Sequence, residues 1–153
     1  MKIRKANKKD SKEISKLMLK DLKSPDKRFP KSMIKSLRIH AQKENILKEF
    51  SNSKLIGFVA LIDDRFKGFI VGYKESNNHA MIHYVTSKSN EVKKGLLKKF
   101  ITFCKRDGMK YIITDVFEFF ENYKLFLNNN FKLFKKEKIT NKLPMLWLRL
   151  NIK

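Results

Sequence analysis

The chain has 153 residues, of which 42% are hydrophobic and 12% aromatic, with a single cysteine. That composition excludes a wholly disordered polypeptide, an internal disulfide and a cysteine-based metal cluster, and the length predicts one compact domain over residues 1–153. The 36 Lys and Arg against 15 Asp and Glu leave a formal net charge of +21, which points to a polyanionic partner such as nucleic acid, a ribonucleoprotein surface or an acidic protein. An AT-rich coding bias explains part of the lysine content, but it would raise glutamate as well, and glutamate is scarce.

Taken in chain order, Lys2 to Ala6 is a short strand candidate, and Asn7 offers an N-cap before Ile14, Leu17, Met18 and Leu22, whose spacing marks one face of a basic helix. Pro25 and Pro30 bracket a loop. Met33, Ile34, Leu37 and Ala41, then Ile46, Leu47 and Phe50, predict a second helical region broken near Lys43. Leu55–Ile62, Lys67–Glu75 and His79–Val85 are rich in Ile, Val, Phe and Tyr and are separated by Asp63-Asp64-Arg65 and Ser76-Asn77-Asn78, the pattern of an antiparallel meander. The run Thr86 to Lys94 then leads into a helix carrying Val92, Leu97, Phe100, Ile101 and Cys104 and stopping at Gly108. Cys104 lies on its apolar face, which predicts a buried, inert thiol. Tyr111–Phe117 is the next strand, Phe120–Asn130 the next helix, and Phe131–Ile139 and Leu143–Ile152 close the sheet. No secretory leader pattern is visible, and the longest apolar run, Leu55–Ile62, is too short to span a bilayer, so a cytoplasmic protein with no membrane partner is expected.

The junction after Val85 carries the most chemical information. A strand feeding a turn and then a helix aims unpaired backbone N–H groups and the positive end of the helix dipole at one place, which suits a phosphate. His40 and His79 have no metal-ligand spacing with carboxylates or with Cys104, and no metal is expected.

The element order and several local signatures resemble the GNAT superfamily of acyl-CoA N-acyltransferases. Lys2-Ile3-Arg4-Lys5-Ala6-Asn7-Lys8-Lys9-Asp10 looks like that family's opening strand and capped helix, Asn130-Phe131 falls where the family has Gly-Phe, and Leu143 to Ile152 resembles its closing strand. The resemblance implies an α/β GNAT-like fold in one domain, with a mixed, mostly antiparallel sheet of about seven strands and helices on both faces. It also implies acetyl-CoA as co-substrate, with direct transfer of the acetyl group to an amine in a ternary complex.

GNAT enzymes hold the pyrophosphate on an Arg/Gln-x-x-Gly-x-Gly/Ala loop, because glycines let backbone N–H groups approach the anion. Here two registers fit. One places Lys88 at the basic position and Glu91 and Lys93 at the two glycines. The other, favoured because it keeps a glycine, places Asn90, Lys93 and Gly95 there, with Leu96 following, and needs a shorter helix. Lys88, Lys93 and Lys94 would add charge where backbone contacts are lost. Val85 would face the acyl arm, and Asn122 would either bond the pantetheine or cap its helix.

Family members use a tyrosine to protonate the departing thiolate, and the matching position is Phe126, which has no proton to give. Tyr123, one turn earlier, is the substitute candidate. His83, Tyr84 and Glu118 are the candidates for a general base. The amine acceptor is not identified by sequence. The competing expectation is a non-catalytic protein of the same fold that binds nucleic acid or a ribonucleoprotein through clusters such as Lys132, Lys135, Lys136 and Lys138.

Overall fold

The computed structural model describes residues 1–140 and 143–153. β1 (Lys2–Lys5) passes through one 3-10 turn (Lys8–Asp10) into α1 (Ser11–Asp21), followed by α2 (Lys31–His40) and α3 (Lys43–Glu49). Then come β2 (Leu55–Ile62), β3 (Arg65–Lys74), β4 (His79–Ser87), α4 (Asn90–Arg106), β5 (Tyr111–Phe117), α5 (Glu121–Leu127), β6 (Lys132–Thr140) and β7 (Leu143–Asn151). The strands form one seven-stranded sheet in the order β1-β2-β3-β4-β5-β7-β6, antiparallel throughout except for β4 beside β5.

The start of α1 is fixed by the residues that the sequence singles out. Asn7 accepts from the Lys9 N–H at 3.0 Å, and the Asp10 carboxylate accepts from the Asn7 N–H at 2.8 Å, a reciprocal capping box. The same carboxylate takes two guanidinium nitrogens of Arg4, each at 2.8 Å, which ties β1 to the turn. The expected break near Lys43 is present: Gln42 is extended, and the chain restarts as α3.

Three boundaries differ from the sequence reading. Asp63 and Asp64 both take positive φ (50° and 56°), so the β2–β3 turn has only two residues and Arg65 pairs directly with Ile62. β4 runs on to Ser87 because β3 still pairs with it there. α5 is shorter than expected, with Phe120 extended at its start and Asn130 left-handed (φ 67°) after its end.

Helices cover both faces. On one, Leu96, Leu97, Phe100 and Cys104 of α4 are fully buried against Ile70, Ile82, Ile112 and Leu148. Burial pushes the Cys104 thiol up to about 12, with Asp107 adding to the shift, which leaves it an inert packing group. On the other face, Ile14 and Met18 of α1 and Leu22 just after it, with Ile34 and Ile46, close over Val59 and Phe69. Among the described residues no helix is long and apolar enough to cross a membrane.

Candidate active site

β4 and β5 pair only from His79↔Tyr111 to Ile82↔Thr114. The Thr114 hydroxyl donates to the Ile82 carbonyl at 3.2 Å, the last link between them. Beyond it Val85, Thr86 and Ser87 stay with β3, while Asp115, Val116 and Phe117 stay with β7. The two strands therefore diverge, and backbone groups between them lose ladder partners.

β4 also carries one extra residue at this point. Ile82 faces Gly72 and Tyr84 faces Val71, which leaves His83 as a bulge. The consequence is that both His83 and Tyr84 turn toward the α1–α3 side. The His83 ring stands edge-on to Tyr73 at 4.9 Å, and Tyr84 stacks on Phe69 at 5.6 Å.

At the open end of the divergence, α4 begins. Ser89 caps it by accepting from the Val92 N–H (3.3 Å), and Lys93 N–H bonds the Ser89 carbonyl. The N–H groups of Asn90 and Glu91 have no protein acceptor among the described residues. They point out of the helix beside exposed Lys88 and Lys94. Asp21, the last residue of α1, accepts from Thr86 Oγ1 at 2.6 Å and from Tyr84 Oη at 3.3 Å, which docks the C-terminal turn of α1 against this junction. Lys20 is thereby brought onto Lys88, and the facing Lys88 ammonium above all, then slight desolvation and Lys16, holds the Lys20 ammonium below the ordinary lysine range. The two ammoniums thus lie near each other beside the start of α4, where an anion would offset their charge.

This arrangement corrects the favoured loop register. α4 starts at Asn90 and runs for 17 residues, so Gly95 lies in its second turn, with its N–H inside the helix ladder. A Cβ there would lie 2.7 Å from Met1 Cε and 3.1 Å from Ile3 Cδ1, so Gly95 makes room for the chain start and β1. The other register, with Lys88 outside and Glu91 at the first turn, matches the observed helix start. Leu96 is fully buried, and its side chain belongs to the core.

Lys93 is likewise not a surface cation. Its side chain is turned inward, 3% exposed, pairing with Glu121 and lying 3.4 Å from Asn122 Oδ1. Asn122 Nδ2 in turn donates to the Val85 carbonyl at 3.1 Å, so Asn122 anchors α5 to β4 at the divergence and does not cap its own helix. Phe126 is buried against Phe131, ring centroids 5.2 Å apart, and has no open face toward a ligand. Tyr123 is half-buried beside the α4-side core.

Among the base candidates, His83 has two carboxylates near its ring. Its Nε2 lies 3.8 Å from Glu75 Oε1, and Asp115, the next residue along β5 from the last paired one, also faces it. Burial raises the Asp115 carboxyl, partly opposed by its own backbone N–H and by His83. Tyr84 is driven the other way from a base: burial, then the Asp21 carboxylate, pushes its phenol above the ordinary range, so it keeps its proton. Glu118 is exposed in the turn after β5 and has no hydrogen-bond partner among the described residues.

Sequence reasoning missed Glu75, Asp115, Lys20 and Phe29. Phe29, in the loop between the two prolines, packs edge-on to Phe117, Phe119 and Phe120 at 5.0–5.6 Å and closes the far end of β5. None of these four has a local signal; each acquires its role from strand register or from the docking of α1.

No protein-family model matches the sequence, and no curated protein matches it. Solved structures do. The aminoglycoside 6'-acetyltransferase type Ii superposes with a TM-score of 0.80 at 15% identity, over 100% of this chain and 98% of that one. An aminoglycoside 6'-N-acetyltransferase complexed with coenzyme A gives 0.74 at 14% identity, over 100% and 98%. PaiA N-acetyltransferase from Thermoplasma acidophilum, in complex with coenzyme A, gives 0.74 at 21% identity, over 95% and 96%. At these identities the likeness is one of fold, and this chain has the GNAT fold of the N-acetyltransferases.

Proposed function

We propose that the chain is an acyl-CoA-dependent N-acyltransferase that uses acetyl-CoA and acetylates an amine. The observation that carries this reading is the divergence of β4 from β5 at Ile82–Thr114, opening beside the free N–H groups of Asn90 and Glu91. The donor set suits the co-substrate: unpaired strand backbone for the amide-bearing arm, and two amides with the Lys20 and Lys88 ammoniums for the phosphates. Lys93 supports this site indirectly, holding α5 and Asn122 in place through Glu121.

When bound, the acyl-CoA supplies a thioester carbon that accepts the amine lone pair as the C–S bond breaks and the thiolate leaves with the electron pair. The chain's own groups handle the protons. His83 Nε2 takes the proton that the amine gives up, and the Glu75 carboxylate beside it offsets the charge gained by the ring. Tyr123 Oη, on α5, holds the proton for the leaving group, since Phe126 has none. Tyr84, locked between Phe69 and Asp21, shapes the wall and transfers no proton.

Calorimetry with acetyl-CoA tests the reading directly, with saturable binding in the micromolar range expected. Absence of heat at about 1 mM ligand overturns it. In a thiol-release assay, His83→Ala is expected to lower kcat by about 10²-fold without changing acetyl-CoA affinity.

A further inference from the structure

We propose that the cavity enclosed by α1–α3 and strands β2–β4 receives the acceptor, and that this acceptor is a primary amine carrying one charge on an apolar, aryl-sized body. The inference rests on the acetyltransferase reading and names its substrate class. The cavity holds about 550 Å³, within the range of small-molecule sites. Its floor is Ile14, Met18, Ile46, Phe69 and Val71, none of which can solvate a charge.

The carboxylates of the lining gather at one end, where the Tyr73 and His83 rings meet edge-on. There the Tyr73 hydroxyl donates to Glu49, and His83 stands 3.8 Å from Glu75. Burial and then the Glu49 carboxylate push the Tyr73 phenol above its ordinary range, so Tyr73 stays a neutral aromatic wall. This end is also where the bulge turns His83 beside the opening between β4 and β5. An ammonium entering the cavity finds its countercharges, its aromatic face and its proton acceptor together, while the remainder of the molecule packs on apolar side chains.

A polyamine has no such fit. Glu49 and Glu75 lie together at one end, so a second charge spaced further along the molecule would sit against the apolar floor without a partner, or meet the Lys54 ammonium on the rim. Lys74, the other rim cation, is held by Asp107 at 2.8 Å. The surrounding field of a +21 molecule repels each added positive charge as well. Charge number, more than length, is therefore the selecting property.

The test is an NMR titration of the full chain without acetyl-CoA, using 2-phenylethylamine, 2-phenylethanol and spermidine as probes. Expected are shifts in the Ile14, Ile46 and Val71 methyl signals with 2-phenylethylamine, and an affinity about tenfold or more above both the neutral alcohol and spermidine. Glu75→Gln is expected to weaken the amine about fivefold and to leave the alcohol unchanged. Spermidine binding as tightly as 2-phenylethylamine, alcohol binding as tightly as the amine, or perturbations confined to other methyls would each overturn the proposal. Acetyl-CoA affinity is measured separately. If the amine binds as described and acetyl-CoA does not, the cavity assignment stands and the transferase reading falls; if acetyl-CoA binds and the amine does not, the reverse holds.

Discussion

The ammonium of Lys93 and the carboxylate of Glu121 pair across the first turns of α4 and α5, with the lysine side chain almost wholly buried and the glutamate 66% exposed. The lysine also approaches Asn122, whose amide holds the Val85 carbonyl, so one ion pair connects both helix starts to the strand that opens the site. A residue that looks like a phosphate-seeking cation is in fact a strut.

Removing its countercharge should cost more than removing the lysine. Glu121→Gln strands a buried ammonium and is expected to lower stability by about 2 kcal/mol, less than for a fully buried pair because water reaches Glu121. Lys93→Met fills the same space without a charge and is expected to stay within about 1 kcal/mol of wild type. Urea unfolding of both variants decides, and a larger loss for Lys93→Met would refute the account.

Two glycines should respond in opposite ways. Gly95→Ala meets only the mobile end of Met1, which is 61% exposed, and Ile3 Cδ1. A gain in helix propensity of about 0.8–1 kcal/mol should meet or exceed that crowding, with acetyl-CoA affinity unchanged. At Gly72 a Cβ would lie 2.2 Å from the Met81 carbonyl oxygen and 2.8 Å from Phe100 Cζ, where α4 sits down on the sheet. Gly72→Ala is therefore expected to lose about 2 kcal/mol or more, read as a fall in thermal midpoint.

The anion site should depend on α1. Lys20→Gln and Lys88→Gln are each expected to weaken acetyl-CoA about tenfold and to flatten the dependence of affinity on salt. Because both ammoniums would address the same phosphates, the double variant should fall short of the product of the single effects. Calorimetry at two ionic strengths checks this; an unaltered affinity in Lys20→Gln removes α1 from the site.

Asp10 and Asp115 predict opposite pH behaviour. Burial pushes the Asp10 carboxyl up, but the Arg4 guanidinium and the Asn7 N–H outweigh it and hold it below the usual range. Its contribution is present above the ordinary 3.8 and is lost as pH falls through the depressed value. Asp10→Asn should cost about 1–2 kcal/mol at pH 7, much of it from the capping box. Asp115 is raised by burial, so ionising it destabilises the fold above its folded value. Asp115→Asn should raise the thermal midpoint at pH 7, with the difference vanishing below 3.8. A lower midpoint at pH 7 would contradict the assignment.

Much of the architecture was legible in local pattern. Asn7 with Asp10, the apolar stripe of α4 and the alternating runs of β2, β3 and β4 each answer to neighbours within a few residues, where propensity and periodicity act. The site was legible only in outline. The strand, turn and helix after Val85 could be read, but the register of the loop could not, because the glycine that argued for it was answering to Met1 and Ile3 some ninety residues away.

The sequence by itself determined the order of elements and the strand-turn-helix junction after Val85, since these follow from periodicity, caps and turn residues. Only the tertiary structure decided which lysines face that place and which face inward. Lys20 reaches Lys88 because Asp21 bonds Thr86, and Lys93 turns in because Glu121 and Asn122 are there to receive it. Those choices rest on contacts between residues 28 to 65 positions apart, and the direction of a charged side chain is set by its partners, which no local pattern names.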